Sequence, residues 1–343
     1  MNFIKKNGAG LALCLAIAIP AWFMGSRFPI AGGPVIAIIA GMIVTFFVKD
    51  KRKFESGIHF TSKKVLQYAV ILLGFGLNLS VILETGRQSL PIIISTITAS
   101  LVIAFILHKA MGIPANISAL VGVGSSICGG SAIAATAPVI DADDDEVAQA
   151  ISVIFFFNII AAVLFPSLGT WLGFSTSSGG PFGIFAGTAI NDTSSVTAAA
   201  STWDNMYGLG SATLDKAVTV KLTRTLAIIP ITLVLAFVRT RREGNSAGKK
   251  VNMKNIFPFF IIYFILASVI TTAAAGFGLP VSVFMPFKEL SKFLIVLAMS
   301  AIGLNSDVVK LVKSGGKPMI MGFCCWTGIT AVSLILQHFL GIW

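Results

Sequence analysis

Charge is scarce in this sequence. Only 11% of its 343 residues are Asp, Glu, Lys or Arg, where a soluble domain carries about 25%. Hydrophobic residues make up 55%, and the mean hydropathy is +0.90. Long apolar runs recur from end to end and leave no room for a soluble domain. The composition therefore predicts an all-α polytopic membrane protein, a single transmembrane domain over 1–343. Cysteine is sparse as well. Cys14, Cys128, Cys324 and Cys325 all fall inside apolar runs with no CxxC or Cys/His spacing, which excludes a disulfide frame or a zinc site. Neither G-x-x-x-x-G-K-[ST] nor G-x-S-x-G occurs, so nothing points to ATP drive or a serine hydrolase. His59, His108 and His338 lie in or beside loops and converge with no nucleophile. No cofactor and no enzymatic activity are expected.

The charge that is present is unevenly spread. A formal net charge of +11 could suggest nucleic acid. Most Lys and Arg, however, sit in short connections between apolar runs, which is how orientation in a membrane is specified. The expected partner is the lipid bilayer, with no nucleic acid. A span needs about 20 apolar residues. The runs predict about eleven, near 8–25, 30–48, 64–83, 90–110, 116–138, 147–172, 182–200, 214–238, 255–275, 289–304 and 317–340. No small-x-small cleavage site precedes Arg27, so the first run is kept as a span. Eleven alternating spans put three basic patches on the side of Lys5 and Lys6: Lys49–Lys64, Arg239–Lys254, and Lys310, Lys313 and Lys317. They put the acidic run Asp141–Glu146 on the other side. The expected orientation has a cytoplasmic N-terminus and a periplasmic C-terminus.

Val121–Ile140, VGVGSSICGGSAIAATAPVI, is apolar enough for a bilayer yet unsuited to a plain span. Gly122, Gly124, Gly129 and Gly130 crowd its middle, interleaved with Ser125, Ser126, Cys128 and Ser131, and Pro138 follows. Glycine in a helix interior costs roughly 1 kcal/mol relative to alanine. Backbone freed from helical bonding cannot face hydrocarbon and must be buried in protein or line a wet cavity. The stretch reads as an interrupted helix that presents amides and hydroxyls to a ligand. A close-packed helix interface of small residues is the alternative.

Two internal echoes accompany it. Gly76-Leu77-Asn78, Val81 and Pro91 match Gly303-Leu304-Asn305, Val308 and Pro318 at one constant offset. Segments 64–112 and 289–340 are thus candidate inverted repeats, a construction of many secondary transporters with substrate at the repeat interface. Separately, Gly124–Ala137 lines up with Gly187–Ala200, so that Cys128-Gly129 faces Asn191-Asp192. This marks 187–201 as a second interrupted segment. A crossed pair must be antiparallel, whereas one full span between the two would make them parallel. Either one segment is re-entrant or the echo is compositional.

Lys221 and Arg224 lie within the eighth run, three apart and so on one helix face. Arg224 falls roughly 14 Å in from Asp215 at 1.5 Å per residue. A buried arginine costs about 2.5–3.5 kcal/mol on insertion scales and marks a functional site with a partner to name. Asp192 and Asp215 are the candidate mates for a structural salt bridge; a shifted boundary would let Lys221 snorkel. Asp192 could carry a coupling proton, ligate sodium or neutralise Arg224 when substrate is absent. Asn158 could join ion coupling or bond across helices. Asn78 and Asn305 could hold broken helices.

The runs GSSICGGSAIAATAPVI and VKLTRTLAIIPI closely resemble a family of bacterial inner-membrane proteins labelled sulfate exporters, and the likeness covers essentially the whole chain. That family is placed with the cation–proton antiporter and anion transporter superfamily. The resemblance implies inverted repeats, a scaffold and a mobile core, interrupted helices crossing at the site, elevator-like alternating access and possible homodimers. The matching positions are Ser125–Ala132 and Lys221-Leu222-Thr223-Arg224.

The residues themselves point the same way. Helix N-termini at a chain break suit an anion, serine hydroxyls supply neutral donors, and Arg and Lys supply charge. The candidate substrate-binding set is Ser125, Ser126, Cys128, Gly129, Gly130, Ser131, Asn191, Thr193, Ser194, Lys221 and Arg224, with Asp192 and Asn158 for ion coupling and no metal. The expected function is secondary transport of a small anion (sulfate, a sulfonate or a carboxylate), coupled to protons or sodium or working by exchange. A passive anion channel and a Cys128-based membrane enzyme or sensor are the alternatives.

Overall fold

The computed structural model describes residues 2–27, 33–47, 52–76, 79–228, 230–232, 234–235, 259–277, 279–305 and 316–343. Leu77, Asn78, Val308, Lys310 and Lys313, part of the first basic connection and all of Arg239–Lys254 lie outside them. Every regular element among the described residues is helical. Among the described residues, five helices are long and apolar enough to cross a membrane by length and composition: 6–25, 79–111, 145–171, 259–276 and 317–339.

The helix α8 (Asp144–Trp171), about 42 Å long at 1.5 Å per residue, serves as a yardstick. Its start is fixed by a capping box. The Asp143 carboxylate accepts from the Glu146 amide at 2.8 Å, and the Glu146 carboxylate accepts from the Asp143 amide at 3.1 Å. Part of the acidic run is thus a helix cap, where negative charge is favoured.

Two broken helices flank α8 and enter from opposite ends. α6 (Ala115–Ser126) begins beside the start of α8, where Asn116 Nδ2 donates to Glu146 Oε2 at 2.9 Å. After the break, α7 (Gly130–Thr136) folds back on α6, with Ile133 packed on Gly124, and the chain returns to Asp143. α9 (Gly180–Ala189) and α10 (Thr193–Tyr207) form a second hairpin, held by the stacked rings of Phe182 and Trp203 at 4.1 Å. Its open end lies at the far end of α8, where the Tyr207 hydroxyl meets Thr170 Oγ1 at 2.6 Å. There Asp204 accepts from the amides of Thr213 and Leu214, both at 2.9 Å, capping α11 (Ala212–Thr225).

The expected through-going spans at 116–138 and 182–200 are corrected accordingly: both segments turn back. At about 18 and 15 Å, α6 and α9 are too short to cross a core of about 30 Å. The antiparallel relation that conflicted with two full spans is met by hairpins from opposite ends.

The remaining helices complete two bundles. The first holds α1 (Asn2–Arg27), α2 (Gly33–Phe47), α3 (Glu55–Phe60), α4 (Leu66–Leu73), α12 (Phe259–Gly276) and α13 (Met285–Asn305). A π turn, Thr61–Val65, joins α3 to α4. α13 packs tightly on α2: a Cβ on Gly303 would lie 2.2 Å from the Ile38 carbonyl oxygen, so only glycine fits. The expected 64–83 span is redrawn, because α4 stops at Leu73 and a 3-10 turn follows. The second bundle holds α5 (Leu79–Met111), α14 (Lys317–Phe339), both hairpins, α8 and α11. α4 runs antiparallel to α13, through Ser291 Oγ to the Ala69 carbonyl and Asn305 near Ser62. α5 runs antiparallel to α14, through Lys317 Nζ to the Met111 carbonyl and Cys325 Sγ to the Ser100 carbonyl. α10 packs on α2 and α13 and so joins the bundles.

α1 begins beside α3, with Ser56 Oγ donating to Asn7 Oδ1 at 2.8 Å. Ser62 and Lys63 share a cavity with Ile151 and Ser152 in the first turns of α8. The acidic run therefore lies at the same end as the start of α1. The expectation of opposite ends fails because α6–α7 turns back instead of crossing.

Candidate functional site

The hairpin tips meet beside the middle of α8. α6 and α9 end there with carbonyl groups that no further helical turn can satisfy, and α11 supplies their partners. Lys221 Nζ donates to the carbonyls of Ile127 at 2.7 Å and Ile190 at 3.0 Å. Arg224 donates through Nε to Ser126 at 2.7 Å, through Nη2 to Ser125 at 2.7 Å and through Nη1 to Thr188 at 2.5 Å. Both side chains are fully buried. A cation suits the negative end of a helix dipole, and here two cations face two such ends.

Neither suggested salt bridge to Arg224 forms among the described residues. Asp215 pairs with Lys288 at 2.6 Å instead. Asp192 caps α10, accepting from the Ser195 amide at 3.1 Å and from the Ser194 hydroxyl. Lys221 is buried and does not snorkel to an interface. Asn158 sits between the tips: its Oδ1 accepts from the Asn191 amide at 3.1 Å, and its Nδ2 lies close to Gly129. Gly129 has φ 68° and ψ −128°, a conformation open essentially to glycine alone.

On the other side of the tips lies a cavity of about 660 Å³ between the bundles. The second bundle lines it with Cys128, Gly130, Ser131, Asp192, Thr193 and Ser194 from the tips, and with Ile151, Ser152 and Phe155 from α8. The first bundle contributes His59, Ser62, Lys63, Leu66, Gln67, Val70, Phe260, Ile302 and Asn305. The exposed His59, Lys63 and Asn305 lie where α3 ends and α13 finishes, so the cavity opens at that end.

The expected site residues thus separate into two layers. Cys128, Gly130, Ser131, Asp192, Thr193 and Ser194 face the cavity. Ser125, Ser126, Asn158, Asn191, Lys221 and Arg224, together with the Gly129 turn, lie behind it and hold the tips. The first bundle's contribution was missed. Its signal was the helical stripe His59, Ser62, Lys63, Leu66, Gln67, Val70, which recurs every three or four residues.

The family model for "Conserved hypothetical protein 698" matches residues 9–322. A protein named "UPF0324 membrane protein" from Streptococcus mutans is 57% identical over 346 residues, covering all of both chains. The chain belongs to the UPF0324 membrane protein family. A further member from Fusobacterium nucleatum is 57% identical over 97% of this chain and 98% of its own. One from Streptococcus pneumoniae is 54% identical over the whole of both chains. UPF0324 relatives are named as membrane proteins, which, with the apolar helices, makes this chain a multi-pass membrane protein. Their names carry no substrate, so neither the sulfate label nor the superfamily placement implied by the resemblance finds support in them.

Proposed function

We propose that this protein is a secondary transporter of a small anion, working by alternating access in the bacterial inner membrane and coupled to protons or sodium. One observation carries the reading: two half-length hairpins enter from opposite ends and meet at a cavity lined by both bundles. Irregular backbone at membrane depth is tolerated where protein or water covers it. Broken helices meeting near the midplane are where transporters bind their substrates. The antiparallel pairing of α4 with α13 and of α5 with α14 supports an inverted-repeat construction of 64–112 and 289–340.

The charge balance favours an anion. Lys221 and Arg224 bring two positive charges, which the C-terminal ends of α6 and α9 offset by roughly one unit. Asp192 removes another, while the first turns of α7 and α10 return roughly one. The tips keep about one net positive charge, and Ser131 and Thr193 line the cavity there while the Ser194 hydroxyl is bonded to Asp192. Lys221 and Arg224 act through the backbone they hold and do not touch the substrate. The basic connections at the end where α1 begins support a cytoplasmic N-terminus, and an odd number of crossings among the described helices supports a periplasmic C-terminus.

The test is a thermal-stabilisation screen of purified protein against sulfate, sulfonates and carboxylates. A ligand at a hundredfold excess over Kd adds about 2.7 kcal/mol. An anion that stabilises the wild type and loses its effect in Thr193→Val and Ser194→Ala supports the reading. Stabilisation by none of the three classes contradicts it.

A further inference from the structure

The two sides of the cavity differ in chemistry. The hairpin tips offer Ser131 and Thr193, with the Ser194 hydroxyl engaged by Asp192, whereas Leu66, Val70, Phe260 and Ile302 of the first bundle, with Ile151 and Phe155 of α8, form an apolar wall beside the polar His59, Ser62, Lys63, Gln67 and Asn305. Ile302 is itself buried and Phe155 lies against the tip at Gly130. A site shaped for a bare tetrahedral oxyanion needs donors on every side and little space. This cavity, at about 660 Å³, falls within the 300–1,000 Å³ typical of sites for organic ligands. At about 30 Å³ per water-sized unit, it has room for several times the five non-hydrogen atoms of sulfate.

We infer that the substrate is an organic anion with an apolar body of several carbons, its charged head at the hairpin tips and its body against the first bundle. This rests on the transporter reading above and names its substrate class. A bare inorganic anion would leave the apolar wall wetted and gain nothing from it. An organic anion removes that wall from water and touches both bundles at once, so its binding depends on their relative position. Alternating access requires that dependence. Free energy gained by burying carbon grows with each methylene, which makes chain length the direct probe.

The experiment measures the affinity of purified protein, in nanodiscs of neutral lipid, for sulfate and for methane-, butane- and hexanesulfonate. Affinity is expected to rise about three- to fourfold per methylene, with sulfate the weakest. Phe155→Leu and Phe260→Leu, each losing aromatic surface in the wall, shrink that increment. Equal affinity for sulfate and hexanesulfonate, or an increment untouched by both substitutions, overturns the inference while leaving anion transport intact. Binding of no anion at any length sinks the transporter reading itself.

Discussion

The carbonyl oxygens of Ile127 and Ile190 accept hydrogen bonds from a single donor, the ammonium group of Lys221. These are the residues that the echo between Gly124–Ala137 and Gly187–Ala200 aligns. They close the first halves of two hairpins from opposite ends of the molecule. One side chain thus ties the hairpins together at the point where each leaves its helix.

Removing that tie is expected to destabilise the protein. Lys221→Met leaves two buried carbonyls without partners, and each unmet acceptor costs about 1–3 kcal/mol. A loss of about 3 kcal/mol in unfolding in detergent is predicted. Arg224→Lys should also be harmful, because one ammonium cannot reach the three carbonyls of Ser125, Ser126 and Thr188. An Arg224→Lys protein as stable as the wild type would count against this role.

The turn at Gly129 gives a second prediction. An alanine there would adopt a positive φ, with its Cβ about 3.2 Å from that of Asp192. Gly129→Ala is expected to lower stability by about 1–3 kcal/mol and to weaken anion binding by displacing the tip. Gly112→Ala also has a positive φ, but a Cβ there meets nothing within 4 Å. It controls for backbone strain and should leave binding unchanged.

Much of this arrangement was legible in the sequence. The cluster of glycines around Cys128 marked the first break, the echo marked the second, and the spacing of Lys221 and Arg224 put both on one face. What that face meets was not legible. An i, i+3 pair reports a shared direction but no partner, and the carbonyls of Ile127 and Ile190 look like any others until the chain is folded. The hairpin returns were hidden because a half-length helix pair and a full span have similar apolar length. That ambiguity put the acidic run at the wrong end. The apolar wall was hidden because Leu66, Phe260 and Ile302 lie far apart in sequence.

The Asp215–Lys288 pair joins α11 of the second bundle to α13 of the first, away from the cavity mouth. Breaking a largely buried ion pair costs about 3–5 kcal/mol. Asp215→Asn and Lys288→Met should each destabilise the protein, and the Asp215→Lys, Lys288→Asp double variant should recover part of the loss. If the bundles part at this end during transport, Lys288→Met should also reduce labelling of Cys128 by an impermeant maleimide applied from the mouth side. Unchanged labelling would show that the pair does not hold that end closed.

The most direct measurement is counterflow in proteoliposomes loaded with unlabelled alkanesulfonate and exposed to a trace of the labelled compound. The account predicts transient accumulation that saturates with concentration and is lost in Thr193→Val. Uptake that rises linearly, gains nothing from internal substrate and survives that substitution would contradict a carrier site at the hairpin tips.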